Sequence, residues 1–121
     1  MDVQIFGTNK SNETRKAQRF FKERGIEPQF VDLKKKKTKP SPGELKRFVQ
    51  KFGLNALVDT EAKAYEESGL AYMRMGDEQL LERIVDEPKM LVQPLVRSGN
   101  AMTVGWDEDY WRDWYEAQKS S

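Results

Sequence analysis

Two hydroxyls, Ser11 and Thr14, stand three residues apart behind the turn-forming cluster Gly7-Thr8-Asn9. A hydroxyl in such a place has two possible roles. It can cap a helix by accepting a backbone N–H, or it can act as a nucleophile if a neighbouring base takes its proton. The second role lacks its partner, because the 121 residues contain no histidine and no cysteine. The same absences remove disulfides, thiol catalysis and the commonest metal ligands. No catalytic residue, metal or cofactor is expected.

Two other groups carry charge or aromatic surface. Lys34 to Lys37 with Lys39 form a basic run that could neutralise phosphates. It has no interleaved aromatics and lies between a strand and a helix start, so it reads as a solvated turn, and nucleic acid is not an expected ligand. Trp106, Tyr110, Trp111 and Trp114 are residue types that anchor protein interfaces. Their helical spacing favours packing in or beside the core instead.

The elements that must position these residues follow from periodicity. Val3-Gln4-Ile5-Phe6 is a β-prone run before the Gly7-Thr8-Asn9 turn. A helix then starts at Ser11 or Asn12, with Ala17, Phe20 and Phe21 on one face, and stops by Gly25. Gln29 to Leu33 alternates as a second strand, and the intervening helix makes a parallel βαβ unit the expected arrangement. Ser41-Pro42-Gly43-Glu44 has the spacing of a capping box with proline in the first helical position. Leu45, Phe48, Val49 and Phe52 continue that helix to Gly53. From Thr60 to Glu87 the pattern is of short helices, one with Ala62 and Tyr65 on its apolar face and one capped by Asp77 with Leu80, Leu81, Ile84 and Val85 inside. The run Met90 to Arg97, the turn Ser98-Gly99-Asn100 and the run Ala101 to Val104 form a hairpin. Pro94 belongs at its entrance, with pairing from Leu95. An acid-started helix over Asp107 to Lys119 closes the chain, with Tyr110, Trp111, Trp114 and Tyr115 on one side.

Composition sets the remaining bounds. The hydrophobic fraction is 37% and the charged fraction 34%, a polar surface around one modest core, so a single domain over 1–121 is expected. The net charge of +1 conceals an asymmetry: residues 1–60 carry 14 basic and 7 acidic side chains, residues 61–121 carry 7 and 13. That asymmetry is compatible with steering a charged partner and with two faces of one domain meeting each other. No apolar run approaches the roughly 18 residues of a membrane span, and Met1-Asp2-Val3-Gln4 lacks the pattern of a signal peptide. A cytoplasmic protein without membrane contact is expected.

Six local sequences, in order and spacing, resemble the arsenate reductase and Spx family. They are Ile5-Phe6-Gly7-Thr8-Asn9, Thr14-Arg15-Lys16-Ala17, Ser41-Pro42-Gly43-Glu44-Leu45, Ala64-Tyr65-Glu66-Glu67-Ser68-Gly69-Leu70, Gln93-Pro94-Leu95-Val96 and Val104-Gly105-Trp106. The resemblance implies an α/β protein of thioredoxin-like fold. It would have a mixed sheet of about four strands and a helical insertion over 41–87 between the βαβ unit and the C-terminal hairpin and helix. It also implies that the family's thiols are replaced by Ser11 and Thr14. The oxyanion arginines are replaced by Asp59, Gln93 and Trp106, and Pro94 follows a cis peptide bond. A serine does not ionise as a thiolate does at a helix N-terminus, and a carboxylate at Asp59 opposes an anion. Thiol-dependent arsenate reduction and disulfide exchange are therefore expected to be lost.

What the resemblance leaves is a non-catalytic protein-interaction or regulatory module with an unidentified protein partner. One alternative is a Spx-like transcription regulator bound to RNA polymerase. Another is a binder of glutathione or a small anion at Thr8, Asn9, Lys10, Ser11 and Asn12, where first-turn amides favour negative charge. The plain alternative to the last is that Ser11 or Asn12 only caps the helix.

Overall fold

The computed structural model describes all residues except 36, 38, 39, 120 and 121. Lys36 and Lys39 of the basic run therefore lie outside the described residues, while Lys34, Lys35 and Lys37 are exposed. The chain forms two compact units, one of residues 1–31 with 93–121 and one of residues 32–92.

The first unit is built on a sheet of β1 (Gln4–Gly7), β2 (Gln29–Asp32), β3 (Leu95–Ser98) and β4 (Ala101–Val104), ordered β2-β1-β3-β4. Gln29 N donates to Val3 O at 2.8 Å, so β1 and β2 enter the sheet side by side and run the same way. The β1–β3 and β3–β4 pairs are antiparallel, which makes the sheet mixed. Pairing begins at Leu95, and Ser98 opposes Ala101 across a Gly99-Asn100 turn in which Gly99 has φ 60°. A two-residue hairpin loop needs such left-handed backbone, which glycine adopts without a Cβ penalty.

The helix α1 (Asn12–Lys22) is joined to β1 by a short loop and capped by Ser11. Its far end closes by bonds from Gly25 N to Lys22 O and from Ile26 N to Phe21 O, with Gly25 at φ 76°. That pair of bonds satisfies carbonyls the last turn would otherwise leave free. The stripe Ala17, Phe20 and Phe21 packs with Val3, Ile5, Ile26, Val96 and Trp111 into one core. Trp111 is fully buried, and its indole Nε1 donates to Thr103 Oγ1 at 2.7 Å, so the ring is buried without orphaning its N–H.

The second unit is helical over the stretch expected to be so. It contains α2 (Pro42–Phe52), α3 (Leu54–Leu57), α4 (Lys63–Ser68) and α5 (Asp77–Asp86), with 3₁₀ turns at Leu70–Tyr72 and Pro88–Met90. The capping box at α2 forms as its spacing predicts. Glu44 N donates to Ser41 Oγ at 3.2 Å and Ser41 N donates to Glu44 Oε1 at 3.0 Å. Leu45, Phe48, Leu54, Leu57, Leu70, Ile84, Met90 and Leu91 are buried. The last helix, α6 (Glu108–Lys119), belongs to the first unit.

Two expectations are corrected. Asp77 does not cap α5; Gly76 does, and its N–H donates to Gln79 Oε1 at 3.3 Å, while Asp77 is the first helical residue. A carboxylate one residue inside a helix still meets the positive end of its dipole, so the two placements look alike in sequence. The aromatic group is also divided. Trp111, Trp114 and Tyr115 recur at i, i+3 and i+4 and turn to the core, whereas Tyr110 is 52% exposed and Trp106 is 42% exposed. Tyr110 falls just off that stripe, and Trp106 precedes the helix altogether.

Candidate functional site

The loop from β1 to α1 gathers most of the residues singled out above. Ser11 has extended backbone (φ −80°, ψ 123°), and its Oγ accepts from Thr14 N at 3.2 Å, the geometry of an N-cap. Ser11 N donates to Thr8 O at 3.1 Å and closes the loop on itself. Thr14 is fully buried, with its side chain against the backbone of Gly7. A Cβ at Gly7 would lie 2.4 Å from Thr14 Oγ1, so the end of β1 has room for glycine alone.

A residue from a distant part of the chain completes the cluster. Gln93 Oε1 accepts from Thr8 N at 2.7 Å, from Thr8 Oγ1 at 3.2 Å and from Thr14 Oγ1 at 3.4 Å. Three donors thus converge on one carboxamide oxygen beside the start of α1. The oxygen carries a partial negative charge and sits where the helix dipole favours one. Gln93 itself is held by a cis bond to buried Pro94, and Pro94 O accepts from Gly105 N at 2.9 Å. The sequence suggested the cis bond and missed the cluster. The signal was there in a side-chain acceptor before Pro94 and two threonines flanking a helix start.

The remaining candidates have other partners or are exposed. Asn9 O accepts from Arg15 Nη1 at 2.7 Å and Asn9 Oδ1 from Gln18 Nε2 at 3.2 Å; Asn12 Oδ1 accepts from Arg15 Nη2. Lys10 is exposed. Trp106 packs edge-on against Trp111, with ring centroids 5.0 Å apart. Asp59 belongs to the second unit, where it serves a turn: its Oδ1 accepts from Glu61 N at 3.0 Å and its N donates to Met90 O at 2.8 Å. Of the positions named from the resemblance, Ser11, Thr14, Gln93 and Pro94 come together, with Thr8.

The arrangement offers little chemistry. Ser11 Oγ is engaged as an acceptor, and the sequence has no histidine to take its proton. Thr8 N and Thr14 N, donors that an anion at this helix start would use, already donate within the chain. Among the described residues no group of three or more His, Cys, Asp or Glu side chains could hold a metal ion. Among the same residues no helix is long and apolar enough to cross a membrane.

Residues 6–114 match the ArsC family. The chain belongs to that family. Over 110 residues it is 30% identical to the "Global transcriptional regulator Spx 2" of Oceanobacillus iheyensis, covering 90% of this chain and 80% of that one. It is 26% identical over 106 residues to the YfgD protein of Escherichia coli K12, covering 85% and 87%. Among solved structures it is similar to an arsenate reductase from Vibrio cholerae, with a TM-score of 0.77, 26% identity and coverage of 93% and 97%. The mixed four-stranded sheet with its helices is the thioredoxin-like fold of these ArsC-family proteins, and this member contains no cysteine.

Proposed function

We propose that this chain is an ArsC-family protein without thiol chemistry, which works in the cytoplasm by binding another protein. The observation that supports this most is the Thr8–Thr14–Gln93 cluster. Ser11 and Thr14 occupy the positions that correspond to the family's thiols, and Gln93 and Trp106 correspond to two of its oxyanion arginines. A lost catalyst would leave unsatisfied groups around an emptied site. Here Gln93 Oε1 fills the space before α1 and takes the donors of Thr8 and Thr14, so the former reaction site works as a joint of the fold.

The test measures glutaredoxin-coupled arsenate reduction and disulfide exchange by the pure, metal-free protein, together with a Ser11→Cys variant. The expected result is no turnover by either, although the new thiol accepts an alkylating reagent. Turnover by the native chain sinks the proposal outright. Turnover by Ser11→Cys alone limits the loss to one atom and removes the argument from Gln93.

A second reading is favoured by similarity to the Spx 2 regulator. In it the bound protein is RNA polymerase, and regulation is constitutive because no thiol switch remains. Polymerase subunits should then co-purify with the tagged chain from native lysate at stoichiometric yield. Their absence leaves the first reading standing and removes this one.

A further inference from the structure

The second unit leaves two large apolar side chains uncovered, and they are neighbours. Tyr72 is 95% exposed and Met73 48% exposed, at the end of the 3₁₀ turn that precedes α5. Arg74 follows, exposed and without an ion pair among the described residues, and Met75 is half-buried. Tyrosine, methionine and arginine are residue types that protein interfaces enrich. Four of them in a row read as a contact segment left without its contact.

The complement lies on α5. Glu78, Glu82 and Asp86 recur every four residues, so they share one side of the helix. All three are exposed and, among the described residues, without an ion pair. Helices α4 and α6 place opposite charges at that spacing, Lys63 with Glu67 and Arg112 with Glu108. Like charges there destabilise a helix, so the acidic row carries a cost that an added cation offsets. Leu81 and Val85 are half-buried beside the row, and with Pro42 and Lys46 of α2 they share with it a groove of about 510 Å³. The lining thus combines apolar surface with three carboxylates and a single lysine.

We propose that this groove receives residues 72–75 of a second copy, and that two copies exchange these segments in a closed pair. Tyr72 and Met73 of one copy cover Leu81 and Val85 of the other, and Arg74 meets the carboxylates. Within one chain the two halves of the contact stay apart, since Arg74 pairs with none of the three acids. They are nonetheless close along the chain. The segment leads into α5, which is only about 15 Å long, so one two-fold axis can serve both contacts. Charge selects this occupant: an acidic segment is repelled by the row, and an uncharged one leaves its cost in place. The inference concerns the second unit alone and does not rest on the reading of Ser11 and Gln93.

The experiment is sedimentation velocity of the full chain at low salt, where exposed charges are least screened. Two short segments make an interface at the small end of the known range, so half-dimerisation is expected at about 50 μM. Arg74→Glu and Glu82→Arg should each weaken the pair about tenfold, and the chain carrying both should return to within about threefold of native, because the exchange restores opposite charges across the contact. Tyr72→Ser should weaken it by a similar factor. Because that ring is almost wholly exposed, the urea midpoint of the dilute protein should stay unchanged. A native chain that remains monomeric up to about 500 μM overturns the proposal and leaves the groove to a basic segment of another protein. Dimers undiminished by both single substitutions, or not restored by the double one, overturn it too. Growth beyond the dimer with concentration does the same, since a closed pair has no free contact to extend.

Discussion

The two ends of β1 treat their polar groups in opposite ways. Where the strand leaves the sheet, Thr8, Ser11, Thr14 and Gln93 bond to one another, and Thr14 closes against Gly7. Where it enters, Gln4 Oε1 and Arg97 have no partner among the described residues. The exit end is the one whose polar groups are satisfied from within the chain. A polar group satisfied by its own chain contributes to stability, whereas an unsatisfied one costs free energy until something binds it. The contrast therefore predicts that substitutions at the exit end cost stability and that removing the Gln4 carboxamide at the entrance costs little.

The largest effect should come from Gly7→Ala. Its Cβ would meet Thr14 Oγ1 at 2.4 Å and Thr14 Cγ2 at 2.7 Å, and Thr14 is fully buried and branched at its Cβ, which makes it stiff. Overpacking of this kind costs about 1–3 kcal/mol. In urea the midpoint should fall with the slope unchanged, and adding Thr14→Ala should return part of the loss, because the two sites are in contact. A neutral Gly7→Ala would mean that the exit end is loosely packed, and the comparison would collapse.

Gln93→Ala should follow closely. It orphans Thr8 N and the hydroxyls of two threonines that are 4% and 0% exposed. Leaving buried donors unsatisfied costs about 1–3 kcal/mol, read from the same unfolding curves. Ser11→Ala removes only the cap to Thr14 N and should cost about 1 kcal/mol. A loss at Ser11 larger than at Gln93 would relocate the centre of the joint from the carboxamide to the helix cap.

How far the sequence foretold this depends on the range of the interaction. Features set by neighbours were legible: the capping box at Ser41 and Glu44, the hairpin about Gly99-Asn100, the apolar stripe of α1, and the cap at Ser11. The candidate site was legible as a set of positions, because the family resemblance names them, and illegible as a structure. Gln93 is separated from Thr14 by 79 residues and from Thr8 by 85, and no local pattern reports a bond over that span. The resemblance marked Gln93 only as a replaced arginine. The polar row at the entrance was hidden for another reason. Gln4, Gln29 and Arg97 occupy the polar positions of alternating strands, which normally face water, and only the cross-strand register brings them together. Tyr110 failed through helix phase, since one residue of displacement carries a ring from the core to the surface, and Trp106 failed because it precedes α6.

The smallest predicted change in stability is the sharpest test of the contrast. Gln4→Leu removes the buried acceptor that has no partner, together with one exposed hydrogen bond to Gln29. The first removal relieves a cost and the second forfeits a small gain, so the net change should lie within about 0.5 kcal/mol of zero. Gln93→Ala deletes the same carboxamide from the other end of β1 and should cost several times as much. If Gln4→Leu instead unfolds as readily as Gln93→Ala, Gln4 Oε1 has a structural partner after all, and both ends of the strand are joints of the same kind.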